Sequence, residues 1–268
     1  MPAKERLEIG LFRAAYALVF AFMLLPLVVV VSSSFTTSGT LVFPPEGFTL
    51  QWYGEFLEDF RWLQAVENSL IVATGTTVLS SVLGIGAAFG LRELDSTLIA
   101  YLTPLVLAPL LIPPVVLGIA LLIFLSRFGV HQTYLSLVVA HSLWATPLVF
   151  FIMQSVFARF DWQLRDAGQD LGASPSRNFV HVILPGVKNG IIVSAIIAFI
   201  ISLQEFVMAL FLSGNDTQTI PVLAWSTLRQ SLDPMVSVVS TFLILASIVG
   251  ILIAVVLMNI EWLGRQLS

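Results

Sequence analysis

The chain has no cysteine in its 268 residues, which excludes a disulfide framework and any thiolate metal site. Histidine is almost as scarce. His131, His141 and His181 each stand without a second histidine or carboxylate at metal-ligand spacing, so a metal centre finds no support. No Gly-x-x-x-x-Gly-Lys-Ser/Thr run is present to cradle a nucleotide phosphate, and no nucleophile is patterned beside a base or carboxylate pair. The chain by itself is therefore not expected to be an enzyme. The deepest deficit is charge: only 10% of residues carry one, against about 25% in soluble domains.

What is there instead is apolar, 57% of the sequence, more than one water-soluble core can hide. The charges are also segregated. None falls in 14–45, 68–91, 96–126, 132–158 or 234–260, and 189–215 carries only Glu205. Each window can hold the roughly 20 apolar residues that a spanning helix needs. Spans are expected near 12–31, 66–91, 98–124, 133–157, 190–212 and 236–260. The runs do not alternate as the strands of a membrane barrel would, and helices are the other way to satisfy backbone groups in lipid. The fold class expected is thus an all-α membrane protein, with 1–268 a single transmembrane domain.

Six spans put both termini on one side. Lys4, Arg6, Arg13, Arg92, Arg159, Arg165, Arg177, Lys188 and Arg265 lie on that side, while Arg61, Arg127 and Arg229 lie opposite. Basic residues accumulate in the cytoplasm, so both termini and the segment 158–189 are expected there, in a multi-pass membrane protein. The first apolar run reads as a span rather than a cleaved leader, being longer than a typical leader core and lacking an Ala-x-Ala site.

Between the spans, 32–48 is rich in Ser, Thr, Gly and Pro and is expected to be an extended outer loop. Thr49 is placed to cap a short interfacial helix whose Trp52, Phe56, Phe60 and Leu63 share a face, either to brace the bundle or to touch a docked protein. In the second span Ser80, Gly84 and Ala88 recur every four residues, the small-residue pattern that lets helices approach closely. Pro104, Pro109, Pro113 and Pro114 predict a kink or unwinding in the third. His141 is expected to make an interhelical hydrogen bond.

The strongest pattern lies between the fourth and fifth spans. Residues 162–171 read as a helix, Gly172 as its left-handed terminator, and Ser174-Pro175 as an N-cap followed by proline at the first helical position. A second helix runs to about Leu184, with Pro185 bending the chain toward the fifth span. Asp166, Ala167, Gly172, Leu184 and Pro185 fall in register with Glu-Ala-Ala, three residues, Gly, nine residues, Ile, one residue, Leu-Pro. This segment resembles the EAA loop of type I ABC importer permeases. Asp166 stands for Glu, Gly168 for the second Ala, and Val182 for Ile; Gly168 loosens the first helix by up to about 1 kcal/mol relative to Ala.

The resemblance implies the six-helix permease fold with a cytoplasmic coupling helix-turn-helix that grips an ATPase. It assigns that contact to Asp166, Ala167, Gly168, Asp170, Leu171, Gly172, Ala173, Leu184 and Pro185. It also implies partners: a dimer of ATP-binding subunits that hold the ATP and Mg, a second permease forming a heterodimeric pore, a periplasmic or lipid-anchored substrate-binding protein, and a small solute. No cofactor in this chain and no nucleic acid are expected.

Three further stretches, 48–53, 65–70 and 202–206, look like those of spermidine/putrescine permeases, specifically the second of their two membrane subunits. The likeness implies a polyamine or related amine-containing solute. Relatives also carry amino-acid-like compounds, phosphonates and ferric iron. Glu205 is the one acidic group deep within an expected span and costs on the order of 3 kcal/mol there. It is expected to face a substrate pathway, where a carboxylate suits an ammonium, or else a partner helix. The rival classes are an ion-gradient-driven secondary transporter, which predicts several intramembrane acids and no docking knob, and a non-transporting scaffold for an ATPase.

Overall fold

The computed structural model describes the backbone at 3–92, 94 and 96–266, with side chains described at 5, 9–92, 94 and 98–258. Helices are the only regular structure among these residues. The helices are α1 (Ala3–Ser33), α2 (Gln51–Glu58), α3 (Phe60–Arg92), α4 (Ser96–Leu111), α5 (Pro114–Ser126), α6 (Tyr134–Arg159), α7 (Gln163–Asp170) and α8 (Pro175–Asn178), then α9 (Leu184–Gly186), α10 (Lys188–Gln204), α11 (Val207–Leu212), α12 (Ile220–Gln230) and α13 (Met235–Gln266). Four of them, α1, α3, α6 and α13, are long and apolar enough to cross a membrane, and up to six crossings result if each of two bent pairs counts as one.

Two compact units are distinguished, and each is described by itself. One comprises Met1–Leu63 and Ala224–Leu245. Here the segment after α1 is held by hydrogen bonds: Trp52 Nε1 donates to the Thr36 carbonyl at 2.7 Å, and the Tyr53 and Ser34 hydroxyls meet at 2.7 Å. Tyr53 stacks near Phe35, and both Tyr53 and Phe56 meet Phe242, with centroids 5.3 to 5.9 Å apart. The aromatic face of α2 differs from the one expected. Asp59 leaves helical geometry and its Oδ1 accepts the Arg61 N–H at 2.8 Å, starting a new helix. Phe60 and Leu63 therefore belong to α3, where they are exposed, while Trp62 is buried. Thr49 stands one residue before the cap, Leu50, and its hydroxyl takes the Gln51 N–H at 3.1 Å.

The other unit comprises Gln64–Leu223 and Ala246–Ser268. Its centre is α6, started by a capping box in which Thr133 and Ser136 exchange hydrogen bonds. One core joins Ala88, Ala145, Val149, Phe150, Met153 and Ala198; a second joins Val72, Leu137, Ala140, Met208 and Leu212. The small-residue stripe of α3 works as expected. A Cβ at Gly84 would lie 2.7 Å from Val149 Cγ1, so only glycine lets α3 reach α6 there, and Ser80 and Ala88 are buried beside it.

Two expected spans are interrupted. The third is α4 and α5, set at 95° to each other. Pro113 and Pro114 remove two successive donors, and Pro113 starts the new helix with ψ 134, so the break is far sharper than a kink. The fifth is divided at Glu205 into α10 and α11. The chain also bends by 72° between Pro175–Gly186 and Lys188–Gln204. That bend falls at Val187, not at Pro185, because Pro185 sits at the first turn of α9, where no backbone donor is required. The helix α12 lies where no element was expected.

Candidate functional site

The segment after α6 folds as a turn between two short helices. Gly172 adopts φ +84. The Ala173 N–H reaches the Gly168 carbonyl at 3.0 Å and the Gly172 N–H the Gln169 carbonyl at 2.8 Å. That pair of bonds is a Schellman termination, which satisfies the last carbonyls of α7 and requires the left-handed residue. Ser174 Oγ then accepts the Arg177 N–H at 3.4 Å with Pro175 at the first helical position.

The helices do not touch through apolar contacts alone. Asn178, 1% exposed, donates from Nδ2 to the Arg165 carbonyl at 2.6 Å. A Cβ at Gly168 would stand 2.9 Å from Asn178 Oδ1. The glycine that weakens α7 as a helix is thus what allows Asn178 to close the turn. Sequence reasoning treated Gly168 as a departure and missed Asn178; a buried asparagine ten residues past a small residue carries no periodic signal.

The base of the turn is tied to the long helices by Trp162. Its Nε1 donates to the Phe157 carbonyl at 3.0 Å, its ring lies among Phe89, Phe157 and Phe160, and the Arg92 and Arg165 guanidinium carbons sit 4.9 and 5.2 Å from its centroid. Beyond this root the backbone continues as α8 and a π turn at Phe179–Ile183, with Ile183 buried. The tip is bare. Asp166, Ala167, Asp170, Leu171, Gly172, Leu184 and Pro185 are exposed, Gly168 and Ala173 half-buried, and Leu171 is 90% exposed.

The second candidate is Glu205, between α10 and α11. Its Oε1 accepts the Met208 N–H at 2.8 Å and its Oε2 the Ala209 N–H at 2.9 Å. The carboxylate therefore caps α11, because the helix break turns two backbone donors toward it. His141 Nε2 lies 3.3 Å from Oε2, aligned outside hydrogen-bond geometry. The interhelical bond foreseen for His141 exists through its other nitrogen, with Ser202 Oγ at 2.8 Å. The Glu205 side chain is 9% exposed and that of His141 fully buried.

The stretch around 65–70 also acquires a role. Asn68 Nδ2 donates to the Asp216 and Gln218 carbonyls at 3.0 and 2.9 Å, and its Oδ1 accepts from Tyr134 at 2.7 Å. Ser69 Oγ accepts the Ile220 N–H at 2.8 Å, at the start of α12. Two consecutive polar residues of α3 thus secure the segment leading out of α11.

Residues 80–261 match the family described as binding-protein-dependent transport system inner membrane component. The putrescine transport system permease protein PotI of Escherichia coli strain K12 is 30% identical, the match covering 84% of this chain and 82% of that one. The spermidine/putrescine transport system permease protein PotC of the same strain is 24% identical over 87% and 88%. Among solved structures, a bacterial ABC transporter involved in import of the acidic polysaccharide alginate superposes with TM-score 0.68 at 16% identity, covering 97% of this chain and 98% of that one.

Proposed function

Since the chain belongs to the inner membrane components of binding-protein-dependent transport systems and is a permease subunit of an ABC importer, we propose that it forms half of a heterodimeric pathway for a polyamine or related amine-containing solute. The observation that carries the solute is the 30% identity to the putrescine permease PotI over 84% of the chain. The shared fold with an alginate importer says nothing of the solute, because that substrate is an acid and a polyamine a cation.

In this reading six spans, with α4–α5 and α10–α11 as broken ones, make one transmembrane domain with both termini in the cytoplasm. The segment 158–189 is then cytoplasmic. Its tip at Asp166, Ala167, Gly168, Asp170, Leu171, Gly172, Ala173, Leu184 and Pro185 docks a separate ATP-binding subunit. The support is an exposed apolar tip, Leu171 above all, on a turn stiffened by the Gly172 termination and the Asn178 bond. ATP hydrolysis takes place in that partner. Closure of the ATPase pair moves the tip, and Trp162 passes the movement to α6 and α3 at their roots.

Glu205 serves two ends of the same reading: it fixes the α10–α11 break and sets a negative charge in the membrane interior, where an ammonium-bearing solute finds a counter-ion. Broken helices at mid-membrane are the usual walls of such pathways. The test is reconstitution of the chain with the binding protein, ATPase and second permease encoded beside it. ATP-dependent uptake of labelled putrescine or spermidine that disappears when this chain is omitted supports the reading. Uptake of a different solute with none of either polyamine overturns the substrate assignment, and uptake driven by an ion gradient alone overturns the mechanism.

A further inference from the structure

A cavity of about 710 Å³ lies where α6 passes into the turn and α9 into α10, with the end of α13 beside it. Ile152, Val156 and Arg159 line it from α6. They share one face of the helix, so the wall changes from apolar to cationic over roughly 10 Å. From α10 come Val193, deeper, and Asn189, nearer the helix start. The floor is closed by direct contact of the two helices, where a Cβ on Gly190 would lie 2.5 Å from Val156 Cγ2. Ile152 and Val156 belong to the charge-free stretch 132–158, which is long enough to reach acyl chains.

The rim carries both signs. Arg159 and Asp161 are exposed lining residues, and among the described residues neither is ion-paired. Asp161 Oδ1 accepts the Gln163 N–H at 3.0 Å at the start of α7, which leaves the carboxylate capacity to accept a further hydrogen bond. A guanidinium recognises a phosphodiester by paired hydrogen bonds, and a carboxylate accepts from a primary ammonium. A purely anionic head group would satisfy the first and be repelled by the second.

We propose that this cleft binds a zwitterionic phospholipid with a primary ammonium, a phosphatidylethanolamine. The phosphate lies on Arg159, the ammonium on Asp161, and the upper acyl chain between Ile152, Val156, Val193 and Met258. The lipid sits at the root of the turn, against both helices that enter and leave it, and its occupancy sets how firmly that root is held to the bilayer.

The experiment uses the whole importer, purified after reconstitution in equal mixtures of phosphatidylethanolamine, phosphatidylcholine and phosphatidylglycerol, with retained lipid measured by mass spectrometry. The wild type retains ethanolamine lipid above its share of the mixture. Arg159→Gln lowers the retained amount roughly fivefold, the range of one interfacial ion pair. Asp161→Asn keeps an Oδ1 to accept the Gln163 N–H, and loses the preference for ethanolamine over choline. Retention of the three lipids in bulk proportion by the wild type overturns the proposal, as does an unchanged ethanolamine preference in Asp161→Asn. A photo-crosslinker at Ile152 is expected to capture lipid; capture of the second permease instead makes the cleft a subunit interface and also overturns it.

Discussion

Both carboxylate oxygens of Glu205 are occupied by the backbone of α11, so its charge is compensated without a basic side chain. In Glu205→Gln one oxygen remains, while the amide NH2 faces a backbone N–H and forfeits a charged hydrogen bond worth about 2 kcal/mol. Uptake of a cationic solute is expected to fall about tenfold or more, with the complex still assembled, as read by transport assay beside copurification of the ATPase. Full uptake by this variant would leave Glu205 as a cap alone. At Gly168 the local and tertiary arguments oppose each other. Alanine gains up to about 1 kcal/mol as a helix former, but its Cβ would stand 2.9 Å from Asn178 Oδ1 and displace the bond to Arg165, a bond of a buried polar group worth about 1 to 3 kcal/mol when lost. Gly168→Ala is therefore expected to weaken ATPase copurification; an unchanged or tighter complex would show that Asn178 yields freely.

Among the elements, the turn between α7 and α8 is the one whose shape is set by a single dihedral. Replacing Gly172 by valine forces a β-branched residue to φ +84, a strain of about 1 to 2 kcal/mol or more. The long helices do not depend on that residue, so insertion is expected to persist while the ATPase is lost from the purified complex and uptake falls with it. A full ATPase complement with normal uptake in Gly172→Val would remove the docking role from this turn. The α4–α5 break is an element of another kind. Pro113 and Pro114 end one helix and start the next at 95°, and each lacks the donor that a continuous helix would need.

For the molecule as a whole the membrane sets the terms. Nine of twelve basic residues fall on the side assigned to the cytoplasm. A reporter after Ser268 and one near Arg177 are expected in the cytoplasm, and one near Pro44 outside, as read by accessibility labelling of intact cells. A tag after Ser268 labelled only from outside would exclude the six-span arrangement. The helix α1, whose apolar window has no buried residue, and α13, with 11% of its window buried, present most of their surface to lipid or to other subunits. That exposure fits a subunit of a larger assembly.

Membrane residence was legible from composition because excluding charge from a 30 Å hydrocarbon layer is a condition on each segment alone. The Schellman turn was legible at Gly172 for a similar reason: its bonds join residues three and five apart, and only glycine takes that φ readily. Where a proline pair lies was visible, but the angle it produces was not, since packing against α6 and α11 chooses the direction once the helix is cut. The partners of Glu205 and Asn178, and the hold of Asn68 and Ser69 on the start of α12, were decided by the tertiary structure. Each is a polar group whose burial costs free energy unless it is matched, and a match with a residue distant along the chain, or with a donor freed by a helix break, exists only once the helices are in place.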